Sequence, residues 1–91
     1  MPHLLFRRRH RPRVVVYGRR TCGLCRRAEA LVAREARGAE IVHVEVDVDA
    51  ALVERYGVRV PVVTVDGREV AELEVGPGAV RAAVRRARRG A

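Results

Sequence analysis

The chain has 91 residues, 48% of them hydrophobic, which gives room for one domain around one small core. No apolar run approaches the roughly 20 residues of a membrane-spanning helix, and the opening Met1-Pro2-His3-Leu4-Leu5-Phe6 is too short and too soon basic for a secretory signal, so a cytoplasmic, reducing setting is expected. The formal net charge of +8 is carried at the ends: residues 1–13 and 81–91 hold five arginines each and no acid, whereas residues 14–80 hold nine arginines against eleven acids.

Residues 1–12 lack periodicity, carry four arginines and contain Pro2 and Pro12, so they read as a basic, flexible arm, with 13–91 as the domain. The arm offers phosphate contacts. With no aromatic side chain beyond Phe6 to stack on bases, a solvated tail is the favoured reading and nucleic acid is not expected as a partner.

A β-branched strand is predicted over about 13–17, apolar from Val14 to Tyr17 as for a strand covered on both faces. After Gly18 comes Thr21-Cys22-Gly23-Leu24-Cys25, with the chain's only two cysteines, and then a helical pattern over about 23–37. Leu24, Ala28, Leu31, Val32 and Ala36 mark its inner stripe, which is apolar except for Glu35, and Gly38 is placed to cap it. A thiol at a helix start meets unpaired N–H groups and the positive end of the dipole. Cys22 is therefore expected to be the reactive sulfur, since cysteines so placed have pKa values of about 3.5–7.5 against about 8.5 for a free thiol. Three residues on, roughly 300° around the helix, Cys25 returns to nearly the same face and can attack a mixed disulfide held by Cys22. No metal is expected, because zinc needs four ligands and only His3, His10 and His43 remain to complete the set.

The alternation of Val42, Val44 and Val46 with His43, Glu45 and Asp47 predicts a second strand over 41–47, with His43 a surface imidazole. Asp49 is placed to cap a short helix over about 50–56 that turns Leu52, Val53 and Tyr56 inward and closes at Gly57. A third strand follows over 58–65, with Pro61 tolerable only at its first ladder position. Asp66-Gly67 is a two-residue hairpin turn, and Arg68 to Leu73 is the returning strand. Gly76-Pro77-Gly78 breaks the strand before a last helix over about 78–88, with Ala79, Val80, Ala83, Val84 and Ala87 on its apolar side. The unit is β-α-β-α-β-β-α: a four-stranded mixed sheet with helices on both faces, since strands joined through a helix run parallel and the last two form a hairpin.

This order, the Cys-x-x-Cys that opens helix one and the Val60-Pro61 before strand three together resemble the thioredoxin fold, and within it the small bacterial glutaredoxin-like proteins, over about 13–88. The resemblance implies that Cys22 is the nucleophile and Cys25 the resolving thiol, and that Pro61 is cis and faces them. It also implies that the backbone of Val60 binds an extended thiol substrate like an added strand. Two departures bear on the substrate. Gly23-Leu24 stands where glutaredoxins carry Pro-Tyr, and Gly76-Pro77-Gly78, with no nearby Asp, stands where they carry Gly-Gly and an acid to hold glutathione. Gly76 and Gly78 are candidates for an anion-binding turn, and Arg19 and Arg59 for gripping a carboxylate.

The function implied is a thiol–disulfide oxidoreductase that reduces protein or glutathione mixed disulfides, with no bound cofactor and glutathione as a candidate co-substrate. Its partners would be disulfide-bearing proteins or glutathione, with electrons from glutathione or a thioredoxin-reductase-type donor and no membrane. Two alternatives from other classes are a glutathione-assisted iron–sulfur cluster carrier and a non-catalytic basic binding module.

Overall fold

In a computed structural model, which describes residues 10–90, the element order follows the expected one. Strand β1 (Arg13–Gly18) leads into helix α1 (Gly23–Glu35), and β2 (Glu40–Glu45) is followed by a 3-10 turn (Val46–Val48) and the short helix α2 (Ala50–Tyr56). The hairpin β3 (Val62–Val65) and β4 (Arg68–Glu72) then precedes α3 (Ala79–Gly90). The sheet order is β2-β1-β3-β4, with β1 parallel to β2 and the other two pairings antiparallel. The mixed four-stranded α/β sheet is that of the thioredoxin fold.

Side-chain alternation divides the core in two. Val14 and Val16 of β1, with Val63 and Val65 of β3, face α1 and α3, which close this side with Leu31, Val32, Val80 and Val84. At about 1.5–3 kcal/mol per buried valine, this layer is the main hydrophobic store of the molecule. The opposite face is covered at one end by α2, where Val46, Tyr56 and Val62 pack with Tyr17 and Leu52. Hence β1 is not fully buried on both faces as expected: Val14 and Val16 are buried, whereas Val15 and Tyr17 are half-buried because α2 is too short to span the sheet.

Other boundaries shift for physical reasons. The second strand stops at Glu45, because the chain tightens into the 3-10 turn that buries Val46. The third begins only at Val62, since 57–60 turn and Pro61 has no N–H for the ladder. Val53, expected inside, faces outward at 39% exposure. Asp49 caps α2 as expected, accepting the Ala51 N–H at 2.8 Å, and Asp66 and Gly67 both take positive φ, as a hairpin turn of this kind requires. Gly57 closes α2 with a right-handed φ of −52°, so its need for glycine is spatial: a Cβ there would collide with the Val53 carbonyl oxygen.

The predicted arm lies outside the described residues up to position 9. Residues 10–12 are fastened to the domain. His10 Nε2 lies 2.6 Å from an Asp66 carboxylate oxygen, Arg11 donates to the Gly38 carbonyl, and the Pro12 carbonyl accepts the Glu40 N–H. No helix among the described residues is long and apolar enough to cross a membrane.

Candidate active site

The β1–α1 loop places the two thiols. Cys22 is the N-cap of α1, in extended conformation, and its Sγ accepts the Cys25 backbone N–H at 3.1 Å. A sulfur thus occupies the place that a Ser or Asp oxygen fills at an ordinary helix start. Both cysteines are free thiols; Cys22 is half-exposed and Cys25 has no exposure. Burial is the main cause that pushes the Cys25 thiol up to about 11, helped by its hydrogen bond with Cys22 and opposed by the Arg19 N–H that points at its sulfur from 3.4 Å. The inner sulfur therefore holds its proton at neutral pH.

Gly18 makes this packing feasible. A Cβ at that position would lie 2.9 Å from Cys25 Sγ, so the end of β1 must be bare for the sulfur to tuck behind Cys22. The pairing of Tyr17 with Val62 brings the next pair, Gly18 and Pro61, alongside one another. The Val60–Pro61 bond is cis, at the same end of the sheet as the thiol loop. Leu73 pins this segment: in left-handed conformation at φ 63°, it donates its N–H to the carbonyls of both Arg59 (3.2 Å) and Pro61 (2.8 Å). Among the described residues neither the N–H nor the C=O of Val60 has a hydrogen-bond partner. Exposed Val58 and Leu73 are apolar neighbours of this open backbone.

The structure gives the remaining sequence candidates internal partners. Arg19 grips Asp47 through Nε at 2.9 and 3.1 Å and donates to the Gly57 carbonyl at 2.6 Å, tying the thiol loop to both ends of α2. Arg59 donates to Glu69 and Glu72 at 2.8 and 2.9 Å and to the Arg55 carbonyl, above the Tyr56 ring, which itself stacks on Tyr17 at 4.1 Å. Both arginines do hold carboxylates, but the carboxylates are the protein's own. Glu69 is held below the usual carboxylate range by the Arg59 guanidinium.

Gly76 and Gly78 are not brought to the thiols. The Gly78 N–H is taken by Glu35 at 2.8 Å, and the same carboxylate accepts the Arg81 N–H at 3.1 Å. Glu35 is thirteen residues beyond Cys22, roughly 20 Å along the axis of α1. The anion at the start of α3 is therefore Glu35, which explains the lone acid on the inner stripe of α1. Gly76 is exposed in the loop before it. His43 is exposed on the edge strand β2, in an open hollow of about 260 Å³ with Arg20, Arg26 and Glu29. Among the described residues no group of three or more metal-ligating side chains converges. Sequence reasoning missed Gly18, Glu35 and Leu73. Only Glu35 left a trace, as a polar interruption in an apolar stripe.

A mixed sheet of this order, two thiols at the start of its first helix with one shielded behind the other, and a cis proline beside them define a thioredoxin-fold protein with a redox-type dithiol. Residues 13–85 match the model of the Glutaredoxin-like domain (DUF836), and the chain belongs to that family. Among solved structures, it is similar to a structural-genomics target protein from X. campestris at 36% identity and a TM-score of 0.69, covering 79% of this chain and 95% of that one. A mutant thioredoxin from Halobacterium salinarum matches at 28% identity and a TM-score of 0.58, covering 85% and 74%. A malarial protein at 12% identity and a TM-score of 0.52, covering 87% and 98%, shares the fold. No curated protein matches.

Proposed function

We propose that this protein is a thiol–disulfide oxidoreductase that reduces disulfides in protein substrates. Cys22 Sγ, as thiolate, attacks one sulfur of the substrate disulfide; the S–S bond breaks and the other substrate sulfur leaves with the electron pair, taking a proton from water. Cys25 then loses its proton and attacks Cys22 Sγ, which forms the Cys22–Cys25 disulfide and releases the second substrate thiol. Two electrons have passed to the substrate. A dithiol donor of the thioredoxin-reductase type, or two glutathione molecules, restores the reduced pair. A reducing cytoplasmic setting belongs to the same reading.

One observation carries this reading: the half-exposed Cys22 sulfur receives a backbone N–H from Cys25, whose own thiol is buried and protonated. The unpartnered backbone of Val60 supports an extended peptide as substrate, added edge-on like a strand. Glutathione is the weaker substrate in this reading, because the Gly78 N–H that would hold its far carboxylate is engaged by Glu35.

The test is mass spectrometry of two variants with a disulfide-bearing peptide. Cys25→Ser should accumulate a covalent adduct on Cys22, and Cys22→Ser should neither form the adduct nor turn over; turnover by Cys22→Ser would end the proposal. The reduction potential identifies the donor: about −270 mV fits a thioredoxin-type donor, and about −200 to −230 mV with glutathionylated Cys22 fits glutathione.

A further inference from the structure

Along the chain the excess charge sits at the two ends, but the fold redistributes it. α1, the turn after it and α3 pack side by side on one face of the sheet and carry nine exposed arginines, four within 26–37 and five within 81–89. Only two acids, Glu29 and Glu35, lie on these elements, and Glu35 is engaged by the start of α3. Elsewhere in residues 10–90 seven arginines face nine acids. One helical layer thus holds an excess of seven positive charges, while the rest of the described molecule is slightly acidic. Three of these arginines come from α1 and one from the turn after it, within the stretch 14–80 where acids outnumber arginines and hide them.

None of the nine is neutralised locally. Among the described residues the ion pairs involve His10, Arg13, Arg19 and Arg59, none of them on this layer. Arg26 and Arg88 donate to backbone carbonyls, and among the described residues no carboxylate lies within 4.0 Å of the guanidinium of any of the nine.

Composition distinguishes the partner. Every exposed residue of α1, the turn after it and α3 is arginine, alanine or glycine, and the exposed large hydrophobic residues all lie on other elements. A protein–protein interface needs an apolar or aromatic centre inside its polar rim, which this face lacks. A phosphate backbone needs none: its binding comes from charge neutralisation and counterion release, and guanidinium suits phosphate in bidentate geometry. Arg81, Arg85 and Arg89 follow one another at i, i+4 and i+8 over roughly 12 Å of α3, and Arg27 and Arg34 span roughly 10 Å of α1. With one phosphate per roughly 3.4 Å of axis on each strand, each row faces about three phosphates.

We infer that the α1–α3 face is a sequence-independent docking surface for the phosphate backbone of double-stranded nucleic acid.

The test is fluorescence anisotropy of a labelled 20-base-pair duplex with the full reduced chain across a sodium chloride series. With about five phosphates neutralised, the log–log slope should be about −4.5, so that affinity falls roughly 500-fold between 50 and 200 mM salt. The triple variant Arg27→Glu, Arg34→Glu, Arg85→Glu should lose at least about 100-fold in affinity at 50 mM salt, with its thermal transition showing that it folds. The double variant Arg55→Glu, Arg68→Glu, which reverses charge away from the face, should lose less than about fivefold. Undiminished duplex binding by the triple variant overturns the inference. So does equal competition by poly-glutamate of matched charge, which would make the occupant an acidic protein surface.

Discussion

Cys25 gives its backbone N–H to the sulfur of Cys22 while its own sulfur lies in the space left by the missing side chain of Gly18. One residue thus supplies the donor for the outer thiol and the proton-bearing inner thiol. The pair differs by burial rather than by chemistry, and the difference is set by β1 and α1 together.

Adding a methyl at Gly18 should disturb this arrangement directly. In Gly18→Ala the new carbon would meet Cys25 Sγ at 2.9 Å and its Cβ at 3.2 Å, closer than atoms pack without displacement. The expected cost is about 1–3 kcal/mol in urea unfolding, as for overpacked cores. Release of a mixed disulfide from Cys22, followed by stopped flow, should slow more than its formation. A variant with unchanged stability and release would mean that Cys25 is not held by that contact.

Burial of Cys25 also makes stability depend on pH. The thiol titrates near 11 in the folded protein and near 8.5 in an unfolded chain. A raised folded value means that the native state holds this proton more tightly, so its contribution is complete below about pH 8.5 and is lost as pH rises towards 11. Reduced protein should therefore show a lower urea midpoint at pH 10.5 than at pH 8. Cys25→Ala should lose that part of the decline, and an equal decline in both proteins would assign it to other groups.

Sequence patterning carries far for the elements and only part of the way for the site. Val60-Pro61, Asp66-Gly67 and the cysteines are local signals, whose meaning is set by neighbours in the chain, and each stands where the spacing puts it. Arg19, Arg59 and Gly78 take their meaning from partners 10 to 43 residues away, which no local pattern encodes. An arginine awaiting a substrate carboxylate and one already holding Asp47 look alike in one dimension. Val53 likewise stands at an apolar position of the short α2, next to Leu52, yet is left exposed.

Glu35 offers a test of this long-range capping. Its carboxylate accepts two N–H groups at the start of α3, so Glu35→Ala should cost about 1–2 kcal/mol, the usual worth of a helix cap. For a domain of this size that is a fall of roughly 5–15 °C in the thermal midpoint. Glu35→Gln, which keeps an acceptor oxygen, should recover part of it. Reduction of a small disulfide at Cys22 should change little, since the cap lies a helix length away; a large loss of activity with intact stability would place Glu35 in the site.

Arg59 acts at the opposite edge. Its bonds to Glu69 and Glu72 join the turn before Pro61 to β4, and the Arg59 carbonyl shares the Leu73 N–H with Pro61. The fork thereby holds the Val60 backbone in a fixed place without touching substrate. In Arg59→Ala the two glutamates lose their partner and the segment gains freedom that substrate must then remove. The expected result is a KM for a peptide disulfide raised roughly fivefold, with kcat changed less than twofold. Because the carboxylates need their charge, acid should act in the same direction: Glu69, lowered by Arg59, keeps the fork closed above its unfolded value of about 4.3, and the fork opens as pH falls through the lower folded value. A KM independent of both the substitution and pH between 3 and 6 would remove Arg59 from the positioning of substrate.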